Sequence, residues 1–570
     1  MHVRSILVGY HQRMSNHPAK PHLLPAALLL TLAVPLVWSL WSAIAAGLNA
    51  QAWTALRHDP QTLRALGMSV WTGALSTALA TALAAWTLYT TAGRLHGSPQ
   101  LRRLGRWLSP LLAVPHAAFA IGLVALIAPA GWLLRLLSPW ATGLDAPPPW
   151  PTTQDPWGLG LVAVLVCKEV PFLLWTALAH LQRPDVARRL RRELQLACTL
   201  GYGAAQAWWR VGWPQLLLRM RAPLLAVLAY NLTVVDVALV IGPTTPPTLA
   251  VLAWQWLQDG DAAMHAQGAA AAWVLALVLL GTFGLIGAVL RRRIWRTRWT
   301  RGATRTAFTA HATTTHKGAG QPVFLSAVYA AVMLALLLGS VIGHWPFPQL
   351  WPQGLTFAAW RAVLDSTPTL WTTLWLALAS SAATLVWAVA WLELSPARWQ
   401  ARAQPLLYLP LALPAVLWVV GLHSVALAWN LDTTGAGLWL AHTLACLPYV
   451  LLALQGPYTG FDPRLRQVAA TLGHGHWGFL LQVKWPLLRT ALASSFAIGF
   501  AVSVAQYLPT LYVGAGRFNT VTTEAVNLAA GGQRSLTAAY AWLQWLLPVL
   551  VFALAAWVGQ ARKFASGHNR

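Results

Sequence analysis

Twelve stretches of about 20 predominantly apolar residues divide this chain, and each is long enough to cross a bilayer core as a helix. The first six run over roughly 23–46, 66–89, 108–128, 157–181, 222–242 and 269–290, and the second six over roughly 322–343, 369–391, 406–429, 435–456, 490–513 and 538–560. The first follows Arg4, Arg13 and Lys20 but is longer than the apolar core of a signal peptide, so it reads as a retained helix. Trp132–Leu137 is interrupted by Arg135 and bounded by Pro129 and Pro139, and reads as a loop helix rather than a thirteenth span. With 57% hydrophobic and 9% charged residues, the 570-residue chain is far from a soluble domain, where roughly 25% of residues carry charge. The expectation is an all-α polytopic membrane protein whose first partner is the lipid bilayer.

A net charge of +25 would suggest nucleic acid in a soluble protein. Here 32 of the 39 Lys and Arg fall at the two termini, in the segment between the two sets, and in the loops after spans two, four, eight and ten. The opposite loops hold 6, and Lys168 lies within a span. By the positive-inside rule both termini are expected in the cytoplasm, and the basic excess is topology rather than a nucleic-acid surface. Cys167, Cys198 and Cys446 are widely separated and suggest neither a disulfide framework nor a metal cluster.

Residues 291–321 open with RRRIWRTRWTR, pass into a Thr- and Ala-rich stretch, and lack an apolar period. They read as a basic cytoplasmic linker between a first unit, 1–290, and a second, 322–570. Six spans on each side make both units start inside, so the two repeats are expected to be parallel.

The loops after spans four and ten repeat each other. QLACTLGYGAAQAWWRVGWPQL, Gln195–Leu216, and QVAATLGHGHWGFLLQVKWPLL, Gln467–Leu488, share 10 of 22 positions without a gap. Gln195, Ala197, Gly201, Val211, Trp213 and Pro214 match Gln467, Ala469, Gly473, Val483, Trp485 and Pro486. Each reads as helix, turn, helix: glycine supplies the left-handed residue that ends the first helix, and proline marks re-entry into the membrane. Leu190, Leu194 and Ala197 in one loop, and Leu465, Val468 and Leu472 in the other, give apolar stripes at helical spacing.

These loops, within 185–216 and 462–488, resemble the EAA loops of ABC importer permeases: E-A-A, three residues, Gly, and a hydrophobic-x-hydrophobic-Pro ending 13 residues after the Gly. Both copies depart from that pattern, with Gln in place of the leading acid and Leu196 and Val468 in place of the next Ala. Further matches are Pro115-x6-Gly122 with Pro414-x6-Gly421, and Pro171-Phe172 with Pro448-Tyr449. The organisation is similar to fused ferric-iron and thiamine permeases, and VVDVALVIGPTTPPTLAVL and VAQYLPTLYVGAGRFNTVTTEAV are closer still to an uncharacterised branch of that group.

The resemblance implies a type I importer permease fold in a bacterial inner membrane, with two copies of a separate ATPase docked on the two loops and a soluble substrate-binding protein outside. No Lys is followed by Ser or Thr, so the chain lacks the phosphate-binding Gly-x4-Gly-Lys-Ser/Thr loop of an ATPase. It is expected to be a transport subunit rather than an enzyme, without cofactor or metal; His474 and His476 have no further ligands nearby. A secondary carrier of twelve helices is the rival reading, and it gives no reason for the repeated loop.

Charges within the bilayer are costly and often functional, which singles out Lys168, Glu169 and Asp236. In the resembled family spans five and eleven line the pathway, which adds Asn231 to Asp236, with Ser503, Gln506 and Tyr507 opposite. The alternative for Lys168 is packing, through Asp236 or a helix end. A mildly acidic, asymmetric path suits a cation or polar zwitterion. Ferric iron, thiamine, a polyamine and other small cations all remain open.

Overall fold

The computed structural model describes residues 23–92, 104–105, 107–108, 110–291 and 320–560. The basic linker expected at 291–321 lies outside the described residues except at its ends. Among the described residues there is no strand, only one isolated bridge between Ile342 and Leu355.

The N-terminal set of helices comprises α1 (Leu23–Gly47), α2 (Ala50–His58), α3 (Thr62–Ala92), α4 (His116–Ile127), α5 (Trp132–Leu137), α6 (Leu159–Leu181), α7 (Pro184–Thr199), α8 (Ala204–Ala207), α9 (Trp213–Arg219), α10 (Arg221–Thr233), α11 (Asp236–Ile241), α12 (Leu249–Leu257) and α13 (Ala262–Arg291). The C-terminal set comprises α14 (Gly320–Gly339), α15 (Ala358–Asp365), α16 (Thr367–Leu394), α17 (Ala397–Leu407), α18 (Leu409–Ala412), α19 (Ala415–Ala428), α20 (Ala436–Thr459), α21 (Arg464–Thr471), α22 (His476–Phe479), α23 (Trp485–Val504), α24 (Leu508–Val513), α25 (Val521–Ala530) and α26 (Arg534–Gln560). Ten described helices are long and apolar enough to cross a membrane, and two bent pairs make twelve if each counts as one span.

Prolines decide where the expected spans break. Apolar length predicts continuous third and ninth spans over 108–128 and 406–429, but α4 and α19 begin only after Pro115 and Pro414, whose rings cannot donate to the preceding turn. The fifth and eleventh, read as 222–242 and 490–513, each divide into a long and a short helix at 234–235 and 505–507. Pro509 removes the N–H that would bond the Ala505 carbonyl. The first break instead falls in the run Thr233-Val234-Val235, β-branched residues that crowd a helix. The stretches GPTTPPT and GAGRFNT then lead from α11 to α12 and from α24 to α25. The first N–H of α12 and of α25 is taken up by a hydroxyl from another element: Leu249 donates to Ser69 Oγ at 2.8 Å, and Val521 donates to Thr373 Oγ1 at 2.9 Å.

The two sets interlock through their first spans. Helix α1 packs along α19, and α14 packs along α4, so each crosses into the opposite set. Both crossings are made at the glycine of the Pro-x6-Gly repeat. A Cβ on Gly421 would lie 1.8 Å from the Ser39 carbonyl oxygen of α1, and one on Gly122 would lie 2.6 Å from Val332 of α14. Small residues at crossings let helices approach where no hydrophobic effect drives them together. Ser39 Oγ also donates to the Trp418 carbonyl at 2.5 Å.

At the opposite end of the bundle from the repeated loops, Arg135 of α5 ties the sets a third way. This side chain, only 2% exposed, donates to the Ala130, Trp345, Pro346 and Gln349 carbonyls at 2.8 to 3.1 Å and stacks 3.8 Å from the Trp345 ring. The fixed guanidinium fork spreads four donors over three backbone directions, which an ammonium cannot match. Arg135→Met should therefore destabilise the protein by about 2–4 kcal/mol, since it strands buried carbonyls. Thermal melting in detergent checks this, with Arg135→Lys expected to fall between the two.

Candidate functional site

The two repeated loops close with the same turn, held by equivalent pairs of backbone hydrogen bonds. Helices α7 and α21 end on Gly201 and Gly473, at φ +90° and +82°. In the first, Tyr202 N–H reaches the Ala197 carbonyl at 3.1 Å and Gly201 N–H reaches Cys198 at 3.0 Å. In the second, His474 N–H reaches Ala469 at 3.0 Å and Gly473 N–H reaches Ala470 at 3.1 Å. This paired closure is the Schellman arrangement, which satisfies helix-end carbonyls only if the residue between is left-handed. It also accounts for the shared alanines: Ala197 and Ala469 carry the carbonyls that close the turn, and both are buried.

After the turn come the four-residue helices α8 and α22, and then a five-residue π-helical turn, Trp208–Gly212 or Leu480–Lys484. Two sequences as different as WWRVG and LLQVK widen at the same place because Pro214 and Pro486 follow. Each removes the N–H that would bond four residues back, at Arg210 or Gln482, and its ring crowds that carbonyl. Trp213 and Trp485 N–H bond back five residues instead.

The copies diverge beyond the proline. In the first, Pro223 removes the donor to Arg219, and α9 meets α10 at a 68° bend. In the second, position 495 is Ser and α23 continues through. Their anchors differ as well. Gln215 and Arg189 both donate to Glu193 in the first loop, Arg189 at 2.9 Å. Burial works to raise the Glu193 carboxyl, but these hydrogen bonds and the Arg189 charge outweigh it and hold it below the ordinary glutamate range. In the second loop Lys484 pairs with Glu393 at 2.6 Å, Tyr458 donates to the same carboxylate at 2.9 Å, and Lys484 lies 3.9 Å from the Tyr458 ring.

The apolar stripes read from the sequence are two different faces. Leu190, Leu194 and Ala197 are buried against the bundle, whereas Leu465, Val468 and Leu472 are exposed. Spacing alone cannot distinguish an inward stripe from an outward one. The equivalent outward pair in the first loop is Leu196 and Leu200, 61% and 56% exposed, against 54% and 72% for Val468 and Leu472. Gln195 and Gln467 are exposed beside them, Val211 and Val483 are half-buried, and Trp213 is buried while Trp485 is half-buried. Trp485 Nε1 donates to Tyr458 at 3.4 Å.

Within the bundle the seven candidate path residues separate. Lys168 Nζ donates to the Leu111 and Val114 carbonyls at 3.3 and 2.5 Å, just before Pro115 interrupts the helix, so it closes a helix end and is not paired with Asp236. Glu169 faces His116 Nε2 at 3.3 Å. Asn231 donates to Thr77 at 3.1 Å, and Ser503 is held by Ser380 and His442; both stay within their own set of helices. Gln506 donates to its own helix at Val502. Tyr507 donates to Asn527 at 3.0 Å. Asp236, at the start of α11, is within electrostatic reach of His116, Tyr230 and Tyr507, and Glu169 of Tyr230 and Tyr449. Glu169, His116 and Tyr230 thus form a continuous group of contacts, with Asp236, Tyr449 and Tyr507 in charge range around it. The His116 and Tyr230 rings are 4.7 Å apart, and Tyr449 keeps 39% of its surface accessible.

His116 and Tyr230 escape a search for intramembrane Asp, Glu, Lys and Arg, although His116 directly follows the proline of the Pro-x6-Gly repeat. Among the described residues no group of three His, Cys, Asp or Glu is placed to hold a metal.

Similarity to known proteins agrees with this architecture along its length. The chain is 35% identical over 556 residues to the inner membrane ABC transporter permease protein YnjC of Escherichia coli, covering 94% of this chain and 97% of that one. The chain belongs to the ABC transporter permeases. Shorter parts of the permease are similar to the molybdenum transport system permease protein ModB of Mycobacterium tuberculosis, 27% identical over 220 residues covering 35% of this chain and 79% of that one. The thiamine transport system permease protein ThiP of Brucella suis is 28% identical over 173 residues, 27% of this chain and 32% of that one. No family model matches the permease. It is a multi-pass inner-membrane protein and a transport subunit, and its family works with ATPase and binding-protein partners.

The left-handed turns give the permease a sharp test of loop geometry. A Cβ on Gly201 or Gly473 meets nothing within 4 Å, so any penalty is backbone strain alone. Val at either position should cost about 1–2 kcal/mol, and Asn, which tolerates this conformation, should cost less. Limited proteolysis of the loop in each variant checks the order Gly, Asn, Val.

Proposed function

We propose that the permease consists of two halves, residues 1–290 and 322–570, joined by the basic segment 291–321, and that each half offers one cytoplasmic loop to one copy of a separate ATPase. The observation that carries this reading is the duplicated surface helix, ended by the same left-handed turn and presenting an apolar pair at equivalent positions, Leu196 with Leu200 and Val468 with Leu472. Exposed apolar residues on a charged surface mark contact sites. With Gln195 and Gln467 at the leading position, docking rests on apolar burial and shape rather than on a salt bridge. Gly201, Gly473, Pro214 and Pro486 set the geometry, with Ala197, Ala469, Val211, Val483, Trp213 and Trp485 seating each loop against the bundle. Both termini lie in the cytoplasm, a placement that the distribution of Lys and Arg supports.

Substrate arrives on a soluble binding protein outside and crosses between the broken spans. Glu169, Asp236, Tyr230, Tyr449 and Tyr507 make that region acidic and aromatic, which suits a small cation or zwitterion. Lys168 is engaged in closing a helix end and supports the wall of the path. ATP is hydrolysed by the docked partner, and the loops carry its movement to α10 and α23.

Leu200→Asp together with Leu472→Asp tests the docking reading. The pair lies on exposed positions, so the permease should insert and melt normally while its ATPase no longer co-purifies. Each single variant should retain one ATPase copy, reducing the ATPase-to-permease ratio by about half. Undiminished co-purification in the double variant refutes docking at these loops.

A further inference from the structure

The second broken helix is bridged by a residue that neither the repeat nor the charge pattern singles out. His442, in the middle of α20, has no exposed surface. Its Nδ1 lies 2.8 Å from Ser503 Oγ, before the break at 505–507, and its Nε2 lies 2.9 Å from Thr510 Oγ1, after it. One imidazole therefore holds both segments.

The direction of each hydrogen bond follows from its neighbours. Thr510 Oγ1 donates to the Gln506 carbonyl at 2.8 Å, so it accepts the Nε2 proton. Nδ1 then carries no proton and accepts from Ser503, whose oxygen lies 3.0 Å from Ser380 Oγ of α16, a hydroxyl that also donates to the Leu376 carbonyl at 2.7 Å. A directed chain runs from Ser503 through His442 and Thr510 to a carbonyl inside the break. The Val504 carbonyl, left without a helical partner, accepts from Thr522, which is itself held by Gln544 at 2.9 Å. In a bilayer such groups have no water to turn to, so these bonds fix the break in one geometry.

The first half has no counterpart. Aligning Pro171 with Pro448 places Leu165 where His442 stands. Thr233 bonds back to Ala229 and Asn231 to Thr77, and among the described residues no side-chain hydrogen bond spans the break at Val234–Val235. We propose that His442 is a positioning residue that splints the second broken helix, so that movement along the path is carried by the unsplinted break at Val234–Val235. The functional part rests on reading both broken spans as path lining; the splint itself does not.

Hydrogen–deuterium exchange of the full-length permease in detergent tests it without substrate or ATPase, so failure here leaves loop docking untouched. In the unsubstituted protein, amides over 503–511 should exchange more slowly than those over 230–239. His442→Leu should speed exchange over 503–511 about tenfold, as expected for loss of the equivalent of one or two net hydrogen bonds, and leave 230–239 unchanged. His442→Gln, which offers both a donor and an acceptor, should restore most of the protection; a purely volumetric role would favour Leu over Gln. If His442→Leu does not fold, Thr510→Val removes one arm alone and should accelerate the same segment. Equal exchange at the two breaks in the unsubstituted protein, no acceleration in either apolar variant, or acceleration shared with 230–239 overturns the proposal.

Discussion

A bilayer offers no water to a backbone carbonyl, and this constraint governs the permease more than any single contact. Wherever a span stays helical the requirement meets itself, and at two interruptions a side chain closes the gap. Lys168 does so before Pro115, and Thr522 does so at the end of α23. Read this way, an intramembrane lysine that looks at first like a substrate ligand is the partner of two carbonyls. Its neighbour Glu169, about 100° round the helix, remains the one facing His116 and the tyrosines.

Interlocking of the sets follows from the same scarcity of driving forces. With no hydrophobic gain between helices in lipid, α1 and α14 reach into opposite sets only because Gly421 and Gly122 let backbones touch. Arg135 adds a polar tie at the end of the bundle away from the repeated loops. Together these crossings fix the two sets of helices against each other.

The repeated loops combine symmetry with difference. Their turn, π-helical widening and proline coincide, yet one is anchored through Glu193 and Gln215 and the other through Lys484, Glu393 and Tyr458. One leads into a 68° bend and the other into an unbroken helix. A motor acting equally on both loops would therefore act on unequal levers.

Length and apolar runs by themselves determined the all-helical class and a polytopic chain, in line with the ten to twelve candidate spans among the described residues, because about 20 apolar residues have few other fates. The Gly-to-Pro spacing determined the loop backbone, since left-handed geometry and a missing N–H are local properties of those two residues. The family resemblance read from those motifs agrees with the similarity to known permeases. Tertiary structure alone decided which apolar stripe faces inward, why Gly122 and Gly421 recur, and which polar residues meet. His442 with Ser503 and Thr510, Arg135 with the carbonyls near Trp345, and Asp236 near Tyr507 are joined across long stretches of chain, and neither periodicity nor composition carries information about such distant neighbours. The continuous fifth and eleventh spans expected from hydropathy failed for a related reason. Hydropathy measures whether a segment can enter the bilayer, not whether its hydrogen-bond ladder is unbroken once there.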